Sequence, residues 1–173
     1  MTVWVLMLRG VNVSGAGRLP MAGLRDLLTG LGLRGVQSYI QSGNAVFRAD
    51  RPAAELEAEI GAEIEAEFGF RPAVFMREAA QIAAALAENP FLQGAQDPKS
   101  VHLFFLAAPA PDADLEALAA LATQGEAFNL SEAVFYLYAP EGIGRSVFAK
   151  RLQRQLKVPI TGRNLRSVIA LAA

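Results

Sequence analysis

VWVLML, residues 3–8, is apolar at odd and even positions alike, and the polar sequence RGVN, residues 9–12, follows it at once. A strand with this pattern is covered on both faces, because successive side chains of a strand point to opposite sides of its sheet. Burying side chains of this size contributes roughly 1.5–3 kcal/mol each. We therefore predict that residues 3–8 form a central strand and that the glycine-bearing loop after it is a favoured place for a functional site.

The rest of residues 1–77 predicts a ferredoxin-like half around this strand. The sequence QSGN, residues 41–44, is typical of a tight hairpin turn, because glycine and asparagine tolerate positive φ. The predicted helices are residues 21–31 and 53–68, and the further predicted strands are residues 36–40, 45–47 and 72–76. Together with the first strand they give the order βαββαβ, which is the ferredoxin-like pattern.

A second half with a similar element order is predicted for residues 100–173, after a connecting helix and loop at residues 78–99. Its predicted strands are residues 101–107, 127–128 and 134–138, and its predicted helices are residues 112–122, 146–156 and 163–171. The order is βαββα, with a helix where the ferredoxin-like pattern has a fourth strand. Because the strands of both halves are apolar at both parities, we predict an α+β fold of two ferredoxin-like halves packed as one compact unit.

Composition excludes several classes of protein. The chain of 173 residues has no cysteine, so it has no disulfide, thiol nucleophile or thiolate metal site. Its longest apolar run is far shorter than the ~20 residues that a transmembrane helix needs. Arg9 and Asn12 also interrupt the N-terminal run too early for a signal peptide. These features predict a cytoplasmic bacterial protein with no membrane partner, and nothing in the sequence indicates an oligomeric state.

Topology predicts where the polar loops of the first half meet. In a ferredoxin-like half, the first strand ends at the edge where the hairpin between the second and third strands turns. We therefore expect one polar cluster there, close to the loop of residues 15–18, formed by Arg9, Asn12, Gln41, Ser42 and Asn44. Its guanidinium, amides and hydroxyl are all hydrogen-bond donors. The alternative is that Asn12 and Asn44 only cap turns while Arg9 pairs locally.

The same residues resemble a known bacterial family. The sequence LRGVNV at residues 8–13, a helix opening at Pro20-Met21, and YIQSGN at residues 39–44 before Phe47 are similar to the domain-of-unknown-function 1697 family. A C-terminal region with a recurrent pattern also resembles it, through Gly144-Arg145-Ser146, Thr161, Arg163, Asn164 and Arg166. Leu165 departs from the family, which often has tryptophan there. The resemblance implies an α+β fold of two ferredoxin-like halves and implies no activity.

Charge is distributed unevenly along the chain. Seven bases and one acid follow Pro140, so this segment carries +6 in a chain whose formal net charge is −1. The sequence GIGRS, residues 142–146, enters a predicted helix, where free backbone amides suit phosphate or carboxylate. Arg145 would add a bidentate contact and Ser146 a hydroxyl. The alternative is that Ser146 only caps the helix.

The C-terminal bases as a group predict one surface that binds anions. We expect Arg145, Arg163 and Arg166 to be its strongest contacts, with Asn164 beside them. Further bases lie outside the apolar stripe of the predicted helix, at Lys150, Arg151, Arg154 and Lys157. Such a face can contact nucleic-acid phosphates, although the pI of about 5.9 is lower than that of a dedicated nucleic-acid binder.

Catalytic chemistry has little support in the sequence. His102 is the only histidine and interrupts an apolar strand, so we interpret it as a packed side chain rather than a general base. With one histidine and no cysteine, no metal site is predicted, and no cofactor is predicted because Walker and dinucleotide motifs are absent. We therefore predict a binding module for a small anionic, phosphate- or carboxylate-bearing ligand. The alternatives are a weak nucleic-acid binder and an enzyme with a non-histidine mechanism.

Overall fold

Strand β1 (Thr2–Arg9) is a central strand of a four-stranded sheet in the computed structural model, which describes residues 1–13, 15–91, 96–123 and 125–173. It pairs antiparallel with β3 (Asn44–Ala49) on one side and with β4 (Ala73–Glu78) on the other. Strand β2 (Arg34–Tyr39) pairs antiparallel with β3, so the order across the sheet is β2-β3-β1-β4. This is the ferredoxin-like arrangement that the sequence predicts.

Both faces of β1 are buried. Leu6 and Leu8 pack in a core with side chains of helices α1 (Met21–Gly30) and α2 (Ala53–Phe68). Met7, which points to the opposite face, is also fully buried. The predicted two-sided burial of this strand is therefore confirmed. The unit that contains this sheet comprises residues Met1–Ala84 and Ala170–Ala173.

The second unit, Ala85–Ile169, contains another four-stranded antiparallel sheet. Its central strands are β5 and β7, and its order is β6-β7-β5-β8. The elements are β5 (Val101–Leu106), α4 (Leu115–Leu121), β6 (Ala127–Leu130), β7 (Val134–Tyr138), α5 (Val147–Leu156) and β8 (Ile160–Asn164), with α3 (Ala79–Ala87) before them and α6 (Leu165–Ala172) after them. Side chains of α4 and α5 pack with Phe104 and Leu106 of β5 on one face of the sheet.

Strand β8 corrects the prediction for the second half. The sequence pattern predicts no strand after the helix that ends at Leu156 and a last helix that begins at Arg163, whereas α6 begins at Leu165. The sequence of β8, ITGRN, has a glycine and three polar residues, which is unusual for a strand. Gly162 is accommodated because it lies opposite Phe104 of β5, whose ring occupies the space beside it.

With β8 included, both halves have the order βαββαβ, and the predicted α+β fold of two ferredoxin-like halves is confirmed. In the part of the chain that the structure describes, no helix combines the length and apolar character that crossing a membrane requires. The fold thus consists of two four-stranded sheets whose central strands are largely buried.

We predict that Gly162→Ala destabilises the protein. The added Cβ would lie 2.5 Å from Cε1 of Phe104, so the ring would have to move within a packed core. Overpacking of this kind costs about 1–3 kcal/mol in the free energy of unfolding. Gly144→Ala is the matched control, because a Cβ at Gly144 has no neighbour within 4 Å. Urea denaturation measures both variants, and equal stability of the two would contradict the predicted crowding.

Candidate functional site

The loop after β1 is fixed by the side chain of Asn12. Its Nδ2 donates to the backbone oxygen of Leu19 at 2.8 Å and to that of Gln41 at 2.9 Å. Its Oδ1 accepts from the backbone N–H of Leu19 at 2.9 Å, and its own N–H donates to the oxygen of Gly17 at 2.8 Å. Both donors of the amide are therefore used, one within the loop and one on the hairpin turn. We call residues 9–13 and 15–19 the clamped loop.

Close backbone packing also joins the clamped loop to the hairpin turn, residues 40–43. A Cβ on Gly43 would lie 2.6 Å from Cγ2 of Val11, so this contact requires glycine. The oxygen of Gly43 accepts from the N–H of Leu8 at 2.9 Å. Within the loop, a Cβ on Gly17 would lie 2.2 Å from the oxygen of Gly10. The loop and the turn therefore form one continuous, closely packed surface at the end of β1.

Strained backbone occurs on both sides of this surface. Asn12 has φ +54° and Ile40 has φ +49°. Positive φ is tolerated by asparagine but is a genuine outlier for a β-branched residue such as Ile40. Ile40 is 50% exposed, and Val13, the neighbour of Asn12, is 56% exposed. Strain of this kind persists where the surrounding structure fixes it, and it is concentrated at functional sites.

The structure brings most of the predicted first cluster to one end of the sheet. Arg9 is exposed at the end of β1, Gln41 is exposed in the hairpin turn, and Ser42 beside it is half-buried. Asn12 and Gln41 are in direct contact, as described above. Asn44 differs from the others, because it is fully buried opposite Met7 and its amide donates to the oxygen of Tyr39 at 3.3 Å. Its observed contact closes the hairpin.

Arg18 is a further candidate that lies outside the set of site residues predicted from sequence. It is exposed, and it lies between Gly17 and Leu19, which are both hydrogen-bonded to Asn12. Among the described residues, its guanidinium has no hydrogen bond or ion pair. The sequence feature that points to Arg18 is the local positive charge, because residues 9–49 contain five arginines and a single acid, Asp26.

The predicted anion site at the start of α5 has a partner from the chain itself. The Oγ of Ser146 accepts from the N–H of Ala149 at 3.1 Å, which is the capping role given above as the alternative. The same hydroxyl donates to the carboxylate of Glu126. A carboxylate at the N-terminus of α5 interacts favourably with the helix dipole, and it repels a second anion. Arg145 is exposed in the short 3-10 turn Ile143–Arg145 that precedes α5.

Two other predicted residues of the C-terminal region are held inside the second unit. Arg163 lies on β8 and is 8% exposed, and its Nη1 donates to Oγ1 of Thr161 and to the oxygen of Gly162, each at 2.8 Å. Burial lowers the pKa of Arg163 to about 10. Asn164 accepts from the N–H of Ser167 at 2.9 Å and caps α6. Arg166 is exposed on α6.

His102 has the environment of a packed side chain. It lies on β5 between Leu137 of β7 and Asn164 of β8, and its ring stacks on Phe104 at a centroid distance of 6.3 Å. Burial lowers its pKa to about 4, and Nδ1 has no hydrogen-bond partner within the described residues. A histidine with this pKa is neutral at pH 7 and is a weak general base there. Across the same described residues, no three side chains of His, Asp or Glu are placed to hold a metal ion.

The fold defines this protein as an α+β protein with two ferredoxin-like units. It belongs to the family described as "Protein of unknown function (DUF1697)", whose sequence model matches residues 1–136. The resemblance noted at residues 8–13 and 39–44 lies within this match. The C-terminal region of residues 144–166 lies beyond it.

The fold also matches a solved structure described as the conserved bacterial protein SP0830 from Streptococcus pneumoniae. The two chains are 26% identical, the match covers 99% of this chain and 97% of that chain, and the TM-score is 0.71. No match was found among curated proteins. The comparisons establish the family over residues 1–136 and the fold over 99% of the chain.

We predict that Asn12→Asp loosens the clamped loop. The substitution keeps an acceptor for the N–H of Leu19 but removes both N–H donors and places carboxylate oxygen against the backbone oxygens of Leu19 and Gln41. The expected cost is about 1–3 kcal/mol in the free energy of unfolding. Amide hydrogen exchange at residues 15–19 and 41–43 is expected to accelerate. Asn129→Asp, at an exposed position of β6, is the matched control, and equal effects of the two substitutions would refute the clamp.

We predict that His102 makes the protein less stable as the pH falls from 7 to 5. Because the pKa is about 4 in the folded protein and 6.5 in the unfolded chain, the unfolded chain binds the extra proton over this interval. Linkage then lowers the free energy of unfolding by about 2 kcal/mol at pH 5. The His102→Gln variant lacks this contribution. Urea titrations at pH 7 and pH 5 compare the two proteins, and identical pH dependence would show that His102 is not desolvated.

Proposed function

We propose that this protein binds a small anionic ligand on the surface formed by the clamped loop and the hairpin turn. The observation that carries this proposal is the set of three hydrogen bonds made by the side chain of Asn12. They fix the loop and the turn relative to each other before any ligand arrives. Preorganised donors bind more tightly because less conformational freedom is lost on binding.

Charge and donor chemistry select an anion. Arg18 brings a guanidinium to the end of the clamped loop, and Arg9 brings a second one to its start. Gln41 adds amide donors and Ser42 a hydroxyl. Arginine donates two parallel hydrogen bonds to a carboxylate or a phosphate. Because Asp26 is the single acid among residues 9–49, this part of the sequence has a net charge of +4.

Apolar side chains beside these donors favour an organic anion over an inorganic one. Val13 is the chain neighbour of Asn12, and Ile40 is the chain neighbour of Gln41. Because the side chain of Asn12 donates a hydrogen bond to the backbone oxygen of Gln41, the exposed residues Val13 and Ile40 both adjoin this contact in the chain. A carboxylate or phosphate ester with a compact apolar group would cover them, which stabilises the complex by roughly 25 cal/mol per Å² of apolar surface removed from water.

We predict that phenyl phosphate binds more tightly than inorganic phosphate and that Arg18→Gln weakens its binding at least tenfold. A tenfold loss is about 1.4 kcal/mol, which is close to the 1.5–3 kcal/mol of a hydrogen bond to a charged group. NMR titration measures the affinities at this surface from the amide shifts of residues 15–19 and 40–43. Two-dimensional NMR spectra locate the site, and the largest amide shifts are expected at residues 15–19 and 40–43.

Arg34→Gln is the matched control for this experiment. Arg34 is an exposed arginine of the same unit and pairs with Arg48 at the opposite end of β2 from the hairpin turn. Its removal changes the net charge equally and is expected to change the affinity by less than twofold. Equal losses for Arg18→Gln and Arg34→Gln would reduce the effect to overall charge, and the proposed site would be rejected.

A further inference from the structure

A shallow pocket of about 360 Å³ lies in the second unit where α5 ends and the chain turns into β8. It is lined by Gln153, Arg154, Lys157, Val158 and Pro159. Its volume is within the range of small-ligand sites. None of these residues belongs to the clamped loop or the hairpin turn, so binding at this pocket is independent of the proposed function.

The charge around this pocket is positive. Helix α5 and Lys157 contain four bases and no acid, in the sequence VFAKRLQRQLK. Among the described residues, the side chains of Arg154 and Lys157 have no hydrogen-bond or ion-pair partner. Helix α4 packs against α5, and its acids are Glu116 in the first turn and the preceding cap residue Asp114, whose carboxylate accepts the N–H of Ala117. The two cations that line the pocket are therefore available to a ligand.

Lys157 stands in a backbone conformation that usually selects glycine. It follows the last residue of α5 with φ +62° and ψ +21°, and its N–H donates to the oxygen of Gln153 at 3.0 Å. Helix α2 of the same chain ends in the same way, but the equivalent residue there is Gly69, with φ +81° and the same bond to Glu65. Glycine adopts this conformation without strain. A lysine that keeps it despite the strain points to a role for the side chain.

We infer that this pocket binds the phosphate group of a small phosphorylated ligand. Arg154 and Lys157 supply two cationic donors to the lining, which suits a phosphate dianion. Val158 and Pro159 add apolar side chains to the same lining, which suit the organic part of the ligand. The sequence pattern alone favours Arg145, Arg163 and Arg166 as the strongest anion contacts of this region. The pocket adds Arg154 and Lys157 to these candidates, and one of the predicted three, Arg163, is buried and hydrogen-bonded to Thr161.

Lys157→Gly separates the binding role from a structural one. Glycine relieves the backbone strain, so the melting temperature is expected to stay the same or to rise, while the affinity for phenyl phosphate at this pocket falls at least tenfold. Arg154→Gln tests the second cation without touching the backbone and is expected to give a similar loss. NMR titration measures the affinity from amide shifts of residues 153–158, which distinguishes this pocket from the clamped loop.

Arg151→Gln is the control for the charge of the helix, because Arg151 is exposed on α5 but does not line the pocket. The affinity of the Arg151→Gln variant for phenyl phosphate is expected to stay within twofold of the wild-type affinity. Arg18→Gln is also expected to leave the shifts of residues 153–158 unchanged, so a failure of the proposed function would be seen separately. Unchanged binding by both Lys157→Gly and Arg154→Gln would overturn the inference.

A single-stranded oligonucleotide of twelve nucleotides distinguishes the two sources of a phosphate group. If the pocket takes small ligands, the affinity for phenyl phosphate is expected to equal or exceed the oligonucleotide's affinity per phosphate group. The NMR amide shifts caused by phenyl phosphate at this pocket are then confined to residues 153–158. Oligonucleotide binding that depends steeply on salt would indicate a nucleic-acid surface. If that binding were also weakened equally by Arg151→Gln and Arg154→Gln, the small-ligand pocket would be rejected.

Discussion

Burial of both faces of a central strand is the constraint on which each unit depends. In β1, the consecutive residues Leu6 and Met7 are fully buried on opposite faces, and β5 has the same property at Leu103 and Phe105 on one face and Leu106 on the other. Such a strand has no side on which polar side chains can gather. Polar groups therefore collect beyond the strand ends, where loops reach the surface. The clamped loop lies at the end of β1, and the pocket lined by Arg154 and Lys157 precedes the start of β8.

The sequence predicts an element well when the reason for it is local. Apolar residues at both parities are visible in residues 3–8, and QSGN marks the hairpin turn without reference to the rest of the chain. Strand β8 has no such signal, because its glycine is stabilised by Phe104, which lies 58 positions earlier in the sequence. The same distinction holds for the helix caps. Ser146 is recognisable as a cap candidate from its position, whereas its bond to Glu126 depends on a residue from outside its helix.

The candidate site shows the same division between local and distant causes. The meeting of residues 9–12 with the hairpin turn follows from topology, so sequence patterning is enough to predict it. The orientation of each side chain is not predictable in this way. Asn44 and Arg163 are polar residues that the fold buries, whereas Arg18 and Lys157 are exposed. Polarity alone does not distinguish a side chain that is buried and hydrogen-bonded within the fold from one that is exposed and can contact a ligand.

The bonds of Asn12 differ greatly in the length of chain that they enclose. Those to Gly17 and Leu19 close loops of five and seven residues, whereas the bond to Gln41 closes a loop of 29 residues. The entropic cost of closure rises with loop length, so the short-range bonds can form while β3 is still unpaired. The bond to Gln41 also requires the hairpin to be docked on β1. The surface of the loop and the turn is therefore held together by the one of these bonds that has the highest closure cost.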